Sequence, residues 1–499
     1  MLKKLTFLIL ILIFPTLLFA YKHNKREMRA VWVTTLLNLD WPSKSGLSME
    51  EQKEEFIDLL DNFQKNNINT VIVQIRPSGD AIYPSRYATW SKWLSGKQGT
   101  APDGDYDPVE FMIKECHKRC MEFHAWMNPY RVVFNYETSP APSYHISNKK
   151  PEWVVTYGKH QYLNPGIPEV RKYITNIVCE VVDKYNIDAI HFDDYFYPHE
   201  TNNKNFKDSI TYKKYGQDFD NLKDWRRDNV NKFIKTVSDS IHSKKTNVKF
   251  GVSPFPVWRN KAHDAEKGVD LRASSSYDDL CADVLLWTTN KWIDYVMPQL
   301  YGNIGHKYLD YSVLVEWWNK YCENTNVYIG QAIYKLDINS KYSEWTSSDE
   351  ILEQLSLNNK YESIKGHAFF RAKYLTKNPL HISESLERSF HKYPSLLPLN
   401  KNIPEINPRK LSFVFLKKSS KENKLLWTNN SDKNEYFIVY RYKSLFPKYS
   451  AENIYKITKN LNIEISDEEI KEGYKYRVAS ISKSHHESKS TKAYTIDLN

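Results

Sequence analysis

Short apolar runs recur eight times along residues 28–375, and each is followed by a stretch with helical periodicity. The runs are rich in Val, Ile and aromatic residues, which favour strands. Eight alternations of strand and helix fit a closed (β/α)8 TIM barrel better than an open sheet. The predicted strands are residues 28–35, 69–76, 121–128, 187–194, 248–255, 293–301, 326–334 and 366–372.

The helical stretches carry their apolar residues on one face, which would cover the outside of the barrel. Residues 48–66, for example, place Phe56, Leu60 and Phe63 three or four positions apart. Further helices are predicted over residues 168–186, 220–243 and 348–361, and the extra length lies in loops 77–106, 129–167 and 256–275.

The pattern changes after Phe390. Four prolines interrupt residues 391–409, which is typical of a linker. Residues 410–499 then form short strand-like runs, with Trp427 in the second run and the sequence YKYRV over residues 474–478 near the end. This pattern predicts a small all-β domain that resembles a fibronectin type III sandwich. We therefore expect a barrel over 28–390, a linker over 391–409 and a sandwich over 410–499.

The first 20 residues have the layout of a signal peptide. Lys3 and Lys4 precede an uncharged, mostly apolar run that ends at Ala20, a suitable cleavage edge. The run is short for a helix that spans a bilayer, although an uncleaved anchor stays an alternative. We expect an exported protein that is periplasmic, at the cell surface or secreted. No other long apolar segment follows, so no further membrane contact is expected.

Charge and composition exclude some classes of function. The net charge is +10, or +8 once the two lysines of the signal peptide are removed, and it is spread along the chain. There is no nucleic-acid-binding motif and no concentrated basic arm. The five cysteines are an odd number without a zinc-ligand pattern, which predicts buried free thiols, no metal and no cofactor. The 35 Tyr and 14 Trp suit either a large core or the binding of sugar rings.

The fourth apolar run ends in two adjacent carboxylates, Asp193 and Asp194, surrounded by aromatic residues. Buried acids are costly unless they are paired or used, and a (β/α)8 barrel builds its active site at the carboxyl ends of its strands. Because side chains alternate along a strand, we expect His191, Asp193 and Tyr195 to face the barrel interior. Asp194 is then expected at the rim.

The same alternation predicts that other strands deliver hydrogen-bonding groups to this end of the barrel. Convergence on one rim is what a polar ligand requires. Besides Tyr195, the residues predicted from this alternation to contact substrate are Gln74, Arg76, His124, Trp126, Asn128, Ser253, Gln299, Tyr301, Gln331 and Arg371.

Two acids at such a rim suit the cleavage of a glycosidic bond, which needs a proton donor and a group that stabilises the positive anomeric centre. We predict that Asp193 is the acid and that Asp194 orients or stabilises the substrate. A loop-capping or metal-binding role for one or both stays an alternative. Asp40, Asp80 and Asp105, in loops after the first two strands, are candidates for a second carboxylate.

No Glu ends any predicted strand, and the seventh run finishes with the sequence GQAIY over residues 330–334. Many barrel glycosidases place one acid after strand four and another after strand seven, so a mechanism with two Glu does not fit. Substrate assistance would fit. In that mechanism the 2-acetamido group of an N-acetyl sugar acts as the nucleophile.

Nine short motifs stand in a fixed order along residues 28–375. They are residues 29–35 (RAVWVTT), 74–77 (QIRP), 79–81 (GDA), 124–131 (HAWMNPYR), 163–166 (LNPG), 191–198 (HFDDYFYP), 253–255 (SPF), 258–259 (WR) and 298–301 (PQLY). Together they resemble the motifs of the glycosyl hydrolase-like 10 family of bacterial exported proteins. The resemblance implies a TIM-barrel glycosidase; at least one relative is a peptidoglycan glycosidase that acts on glycan strands stripped of stem peptides. It adds Trp32, Asp80, Arg131 and Trp258 to the expected substrate-binding residues.

The sequence therefore predicts an exported glycoside hydrolase whose partner is a polysaccharide, either a cell-wall glycan or another N-acetylated glycan, with peptidoglycan strands favoured. Two alternatives come from other classes. One is a catalytically inactive glycan-binding protein that uses the aromatic rim and the sandwich to attach to the cell wall. The other is a metal-dependent hydrolase in which His124 and the aspartates share an ion.

Overall fold

The computed structural model describes residues 22–137, 141–199, 205–412, 414–418, 423–444, 449–492 and 494–495. The predicted signal peptide over residues 1–20 lies outside this part of the chain. Among the described residues, no helix is both long enough and apolar enough to cross a membrane.

Eight parallel strands close into a barrel, which confirms the predicted TIM-barrel fold. They are β1 (Met28–Val33), β2 (Thr70–Arg76), β3 (Glu122–Met127), β4 (Ala189–Phe192), β5 (Lys249–Val252), β6 (Tyr295–Val296), β7 (Asn326–Gln331) and β8 (Ile364–Phe369). Strands that are consecutive in the chain are neighbours in the sheet. The barrel closes where β1 pairs with β8, with Val31 opposite Phe369.

Helices follow the strands and cover the outside of the barrel. Local sequence explains several of their beginnings: Ser48 and Glu51 form a capping box before the first helix, and Asp107 caps the second, which begins at Pro108. The helices that surround the barrel are α1 (Met49–Lys65), α2 (Pro108–Lys118), α3 (Pro168–Lys184), α4 (Leu222–Lys244), α5 (Val284–Thr289), α6 (Tyr311–Tyr321), α7 (Asp349–Asn358), α8 (Ala372–Lys377) and α9 (Ile382–Arg388). Shorter helices lie in the loops, at Lys92–Ser95, Ile146–Lys149 and Ser209–Tyr215.

The barrel interior is a packed core rather than a pore, as expected for this architecture. Aromatic and small side chains alternate there, and the largest are Trp32, Trp126, Tyr295 and Tyr328. A separate apolar layer lies between the strands and the surrounding helices. The interior core supports the floor of any site at the carboxyl ends of the strands.

The C-terminal region contains two antiparallel sheets and a short helix, Asp467–Lys471, so the prediction of an all-β domain is confirmed only for the sheets. One sheet has the order β9-β10-β13 and the other the order β12-β11-β14-β15, where the strands are β9 (Val414–Lys418), β10 (Asn423–Trp427), β11 (Tyr436–Tyr442), β12 (Ile454–Thr458), β13 (Asn462–Glu464), β14 (Lys475–Ile481) and β15 (Tyr494–Thr495). The sheets share a core that contains Trp427, Phe437 and Val478. The finer assignment to the fibronectin type III class stays a prediction.

The first part of the expected linker is packed against both regions. The guanidinium of Arg29 donates hydrogen bonds to the carbonyl oxygens of Phe390 and Tyr393, at 2.9 and 2.7 Å. Leu396 is buried in an apolar cluster with Tyr436 and other residues of the C-terminal sheets. This segment therefore holds the sheets against the amino-terminal end of the barrel.

Candidate active site

A pocket with a cavity volume of about 160 Å³ lies at the carboxyl ends of the barrel strands. Residues from the ends of many different strands contribute to it, which is typical of active sites on this fold. The lining residues are Trp32, Thr34, Leu36, Leu39, Gln74, Trp126, Asn128, Arg131, Asp193, Tyr195, Ser253, Gln299, Tyr301 and Phe370.

The carboxyl group of Asp193 is bound on one oxygen only. Its Oδ2 accepts hydrogen bonds from the indole Nε1 of Trp126, at 3.2 Å, and from the side-chain amide of Asn128. Its Oδ1 is buried and has no hydrogen-bond partner among the described residues. Two donors on Oδ2 leave Oδ1 as the oxygen that can carry a proton.

The orientation of the Asn128 amide is set by its neighbours. Gln74 accepts the backbone N–H groups of Thr35 and Leu36 on its Oε1, at 3.2 and 3.0 Å, so its amide nitrogen must point the other way. That nitrogen donates to Oδ1 of Asn128 at 2.7 Å. The amide nitrogen of Asn128 is therefore the group that faces Asp193.

Burial is the largest cause that raises the pKa of Asp193, to about 7, and the negative charge of Asp194 acts in the same direction, against the guanidinium of Arg131. A carboxyl group with a pKa near neutrality can both donate and take back a proton near neutral pH. General acid–base catalysis requires this property.

Asp194 lies in the loop directly after β4 and does not line the pocket. Its side chain is buried, with Oδ2 3.7 Å from Nε2 of His199 and with Oδ1 lacking a partner among the described residues. The charge of Asp194 is also the largest cause that raises the pKa of the Tyr195 hydroxyl. Asp194 therefore acts on the pocket through its charge.

Aromatic rings form much of the pocket wall. The ring of Phe370 stacks on Tyr301 with centroids 5.7 Å apart and meets Trp32 edge-on at 5.9 Å. The guanidinium of Arg131 lies 5.3 Å from the centre of the Tyr195 ring. Apolar faces with a few fixed polar groups are typical of small-molecule pockets.

The structure brings ten of the predicted site residues together around this pocket. All of them come from the ends of strands β1 to β6 or the loops that follow, and their contact with substrate stays a prediction. They are Trp32, Gln74, Trp126, Asn128, Arg131, Asp193, Tyr195, Ser253, Gln299 and Tyr301.

On β7 the predicted orientation is wrong. Tyr328 faces the barrel interior, so Gln331, three positions later, faces the surrounding helices. Its side-chain amide donates to Oε1 of Gln354 in α7 at 3.1 Å. Gln331 thus joins β7 to its helix and does not line the pocket.

On β8 the predicted orientation is also wrong, because the side chains that face inward are one position away from those expected. Ala368 faces the interior, and Phe370, not Arg371, lines the pocket. Arg371 instead forms an ion pair with Asp40 at 2.8 Å, which joins the loops after β8 and β1. Asp40, a candidate second carboxylate, forms this ion pair and does not line the pocket.

Arg76 and Asp80 lie behind the pocket wall. The pairing of β2 and β3 is irregular between Gln74 and Arg76, and Arg76 donates to the carbonyl oxygens of Asn128 and Pro129. Asp80 accepts the backbone N–H of Ser78 at 3.0 Å. Both side chains are therefore buried in the loop structure and do not line the pocket, contrary to the prediction.

His124 and Trp258 are also absent from the pocket. The ring nitrogens of His124 lie 2.9 Å from Glu122 and 2.9 Å from the Tyr295 hydroxyl, deep in the barrel. Trp258 stacks on Trp317 of α6 with ring centroids 5.9 Å apart. For His124, sequence alternation alone could not separate the lower interior layer from the pocket floor.

Sequence reasoning missed four lining residues, Thr34, Leu36, Leu39 and Phe370. Thr34 follows Trp32 by two positions, so a longer reading of the same alternation would have found it. Leu36 begins a short 3-10 helix and Leu39 directly follows it, so the alternation of a strand does not extend to them. Asp105, the remaining candidate carboxylate, is exposed in the loop before α2.

The described residues contain no group of three His, Cys, Asp or Glu side chains that could hold a metal ion. His124 uses both ring nitrogens inside the barrel, so it does not share a ligand set with the aspartates. The five cysteines form no disulfide bond.

A closed barrel of eight parallel strands, with a buried carboxyl group at the carboxyl ends of the strands, defines a protein of the (β/α)8 TIM-barrel class. The chain belongs to the glycosyl hydrolase-like 10 family, whose profile matches residues 27–347. It is 41% identical over 486 residues to glycosyl hydrolase YngK of Bacillus subtilis strain 168. The matched residues cover 95% of this chain and 94% of YngK.

Glycosyl hydrolase DigH of Escherichia coli K12 is 39% identical over 380 residues, which cover 71% of this chain and 85% of DigH. Among solved structures, the glycoside hydrolase domain of PgaB from Bordetella bronchiseptica is a distant likeness, with 13% identity and a TM-score of 0.46. The match covers 72% of this chain and 98% of that one.

Proposed function

We propose that this protein is an exported glycoside hydrolase that cleaves glycosidic bonds of a cell-wall or other N-acetylated glycan, with peptidoglycan strands favoured. The carboxyl group of Asp193 carries the proposal, because it is buried at the pocket, has a pKa of about 7 and keeps Oδ1 without a partner among the described residues. The names of the relatives YngK and DigH, both glycosyl hydrolases, support the reaction class.

Asp193 acts first as the acid in this proposal. The proton on Oδ1 passes to the glycosidic oxygen as the bond to the anomeric carbon breaks, and the leaving sugar departs as an alcohol. Trp126 and Asn128 hold Oδ2 and stabilise the carboxylate that forms. The carboxylate later takes a proton from the attacking water molecule and regains its first state.

Of the described residues that line the pocket, Asp193 is the single carboxylate. A second carboxylate as nucleophile therefore has no candidate there, and this favours substrate assistance. The acetamido oxygen of the substrate forms a bond to the anomeric carbon, and water then opens the resulting oxazolinium ring. The buried charge of Asp194 raises the pKa of the acid and stabilises the positive charge that develops nearby.

A neighbouring cavity supports a polymeric substrate. It has a volume of about 680 Å³, shares Leu39 with the pocket and extends along α1 and α8 past Asp58 and Lys377. Sugar units beyond the scissile bond would have room there. A polymer that occupies both cavities would gain binding energy at a distance from the reacting centre.

The experiment compares purified mature protein with its Asp193→Asn variant on intact and on peptide-stripped peptidoglycan, with released fragments identified by mass spectrometry. We expect new reducing ends from the wild type only. Asp105→Asn is the matched control, because Asp105 is exposed and away from the pocket. Equal release by wild type and Asp193→Asn would exclude Asp193 as the acid, and release by neither would exclude these glycans as substrates.

A second substrate tests the assisted mechanism. A glycan in which the acetamido groups have been converted to free amines lacks the proposed nucleophile. We expect its cleavage to fall below detection while the parent glycan is cleaved. Cleavage of both at similar rates would rule out substrate assistance and leave Asp193 as the acid.

A further inference from the structure

A file of buried polar side chains runs along the barrel axis below the pocket. The Trp32 indole Nε1 donates to Nε2 of His191 at 3.3 Å, and Nδ1 of His191 lies 2.9 Å from the Tyr295 hydroxyl. On the other side of that hydroxyl, Nδ1 of His124 also lies at 2.9 Å, and Nε2 of His124 lies 2.9 Å from Oε2 of Glu122. We call these five residues the axial file.

The C-terminal sheets close the lower end of the file. Oε1 of Glu122 accepts hydrogen bonds from Nζ of Lys249 and from Nε2 of His485, which follows β14 and lies 2.8 Å away. Burial would raise the pKa of Glu122, but Lys249, His485 and His124 together hold it well below its usual value. Glu122 is therefore a carboxylate, which can accept hydrogen bonds but cannot donate them.

The lower end determines the direction of every hydrogen bond above it. Burial lowers the pKa of His124 and of His191, so each ring is neutral and has a single N–H. Because Glu122 only accepts, His124 must donate from Nε2 and accept on Nδ1 from the Tyr295 hydroxyl. That hydroxyl then accepts from Nδ1 of His191.

The upper end of the file requires the same direction. An indole N–H can only donate, so Nε2 of His191 has to be the acceptor for Trp32. The same nitrogen lies 3.0 Å from Oγ of Ser253. Trp32 and Ser253 both line the pocket. The position of the proton on His191 therefore decides whether its Nε2 accepts hydrogen bonds from these two residues or donates one.

We propose that Glu122 is a positioning residue, which sets the direction of the axial file and so keeps Nε2 of His191 an acceptor beneath Trp32 and Ser253. It acts from the far end of the barrel, next to the C-terminal sheets. The consequence for catalysis rests on the proposed function. The consequence for the histidine rings does not, because it follows from the hydrogen bonds and from the neutrality of the two buried rings.

Substitution of Glu122 by Gln should reverse the file. The amide oxygen of the new residue would face Lys249 and His485, and its NH2 group would face Nε2 of His124. His124 would then carry its proton on Nδ1, the Tyr295 hydroxyl would donate to His191, and His191 would carry its proton on Nε2. The Nε2–H group of His191 could then donate a hydrogen bond to Oγ of Ser253, but the Trp32 N–H would lose its acceptor.

The test is long-range ¹H–¹⁵N NMR of full-length protein labelled at histidine, which shows which ring nitrogen carries the proton. Loss of a signal in His191→Gln and in His124→Gln assigns the two rings. We expect Nδ1–H for His191 and Nε2–H for His124 in the wild type, and the reverse in Glu122→Gln. We also expect kcat/KM on the glycan to fall roughly tenfold in Glu122→Gln, with the wild-type fold retained.

Two further variants separate direction from stability. His485→Ala leaves Glu122 and Lys249 in place, so it should lower the melting temperature without reversing His191. Tyr295→Phe interrupts the file, so adding Glu122→Gln to it should no longer change His191.

An Nε2–H form of His191 in the wild type, or an unchanged His191 in folded Glu122→Gln, would overturn the proposal. When Glu122→Gln does not fold, an Nε2–H form of His191 in the wild-type spectrum still overturns the proposal. A protein that shows these tautomers but cleaves no glycan would refute the proposed function alone.

Discussion

Trp126 donates its indole N–H to Oδ2 of Asp193 at 3.2 Å, while Oδ1 of the same carboxyl group has no partner among the described residues. The two oxygens therefore have different roles although they belong to one group. Oδ2 is held in place by donors, and Oδ1 is left for a proton and for a substrate. This asymmetry is produced by residues of β3 and β4, which are neighbours in the barrel.

Trp126→Phe is expected to change the pH profile. The indole hydrogen bond stabilises the charged form of Asp193, so its loss should raise the pKa of that carboxyl group further above 7. The alkaline limb of kcat/KM should then move to higher pH, by up to about one unit, since one hydrogen bond is worth about 1 kcal/mol. A profile measured on soluble glycan fragments checks this, and a shift to lower pH would contradict it.

Asp193 should also make the stability of the protein depend on pH. Its pKa is raised from an ordinary value of 3.8 to about 7, so the folded state binds more protons than the unfolded state between these two pH values. Stability should therefore fall as the pH rises through this range, and the part due to Asp193 should amount to about 4 kcal/mol.

Thermal unfolding at about pH 5 and about pH 8 measures this dependence, because these values lie on either side of the neutral pKa. Asp193→Asn has no titrating group at the position, so the wild type should lose more stability than the variant between the two conditions. An equal loss in both proteins would show that the pKa of Asp193 is not raised in the folded state.

Arg371→Ala is expected to destabilise the protein without direct loss of a pocket residue. The Asp40 side chain is fully buried and lies 2.8 Å from Arg371, so the substitution leaves a buried charge without its partner. Breaking a buried pair in this way costs about 3 kcal/mol. Urea unfolding followed by tryptophan fluorescence should show a lower midpoint. The double variant Asp40→Asn with Arg371→Ala should recover part of the loss, and no recovery would argue against the pair.

Tyr301→Ala is expected to weaken substrate binding. The Tyr301 ring lines the pocket and stacks on Phe370 at 5.7 Å, so its removal deletes one wall. Aromatic contacts of this kind contribute about 0.5–1.5 kcal/mol, which predicts a rise in KM of roughly 2- to 10-fold with a smaller effect on kcat. Phe415→Ala, at an exposed position on β9, is the control. A similar rise in KM for Phe415→Ala would contradict a specific role of Tyr301 and would indicate that the C-terminal sheets bind the substrate.

Local patterns in the sequence were sufficient for the order of strands and helices. The runs that became β1 to β8 were recognisable because each strand has its own apolar residues, and several helices have a capped beginning, as at Ser48 and Asp107. The alternation of side chains also placed Asp193, Asn128 and Gln299 at the pocket. These features depend on residues close together in the chain.

Orientation on the last two strands was not predictable in the same way. Gln331 and Arg371 were expected to face inward, but Tyr328 and Ala368 occupy the interior positions. A slip of one residue exchanges the two faces of a strand, and the choice is made by pairing with neighbouring strands. A short apolar run read alone does not contain that information.

The sequence by itself determined the barrel, the strand-rich region after it and the two acids at the end of β4, because periodicity and strand position are local properties. Only the tertiary structure decided how those acids behave. Burial and the closeness of Asp194 set the pKa of Asp193, and Gln74 orients Asn128 from another strand. The axial file likewise connects Trp32 to Glu122, which are distant in the chain and are linked through the barrel interior only when the barrel closes.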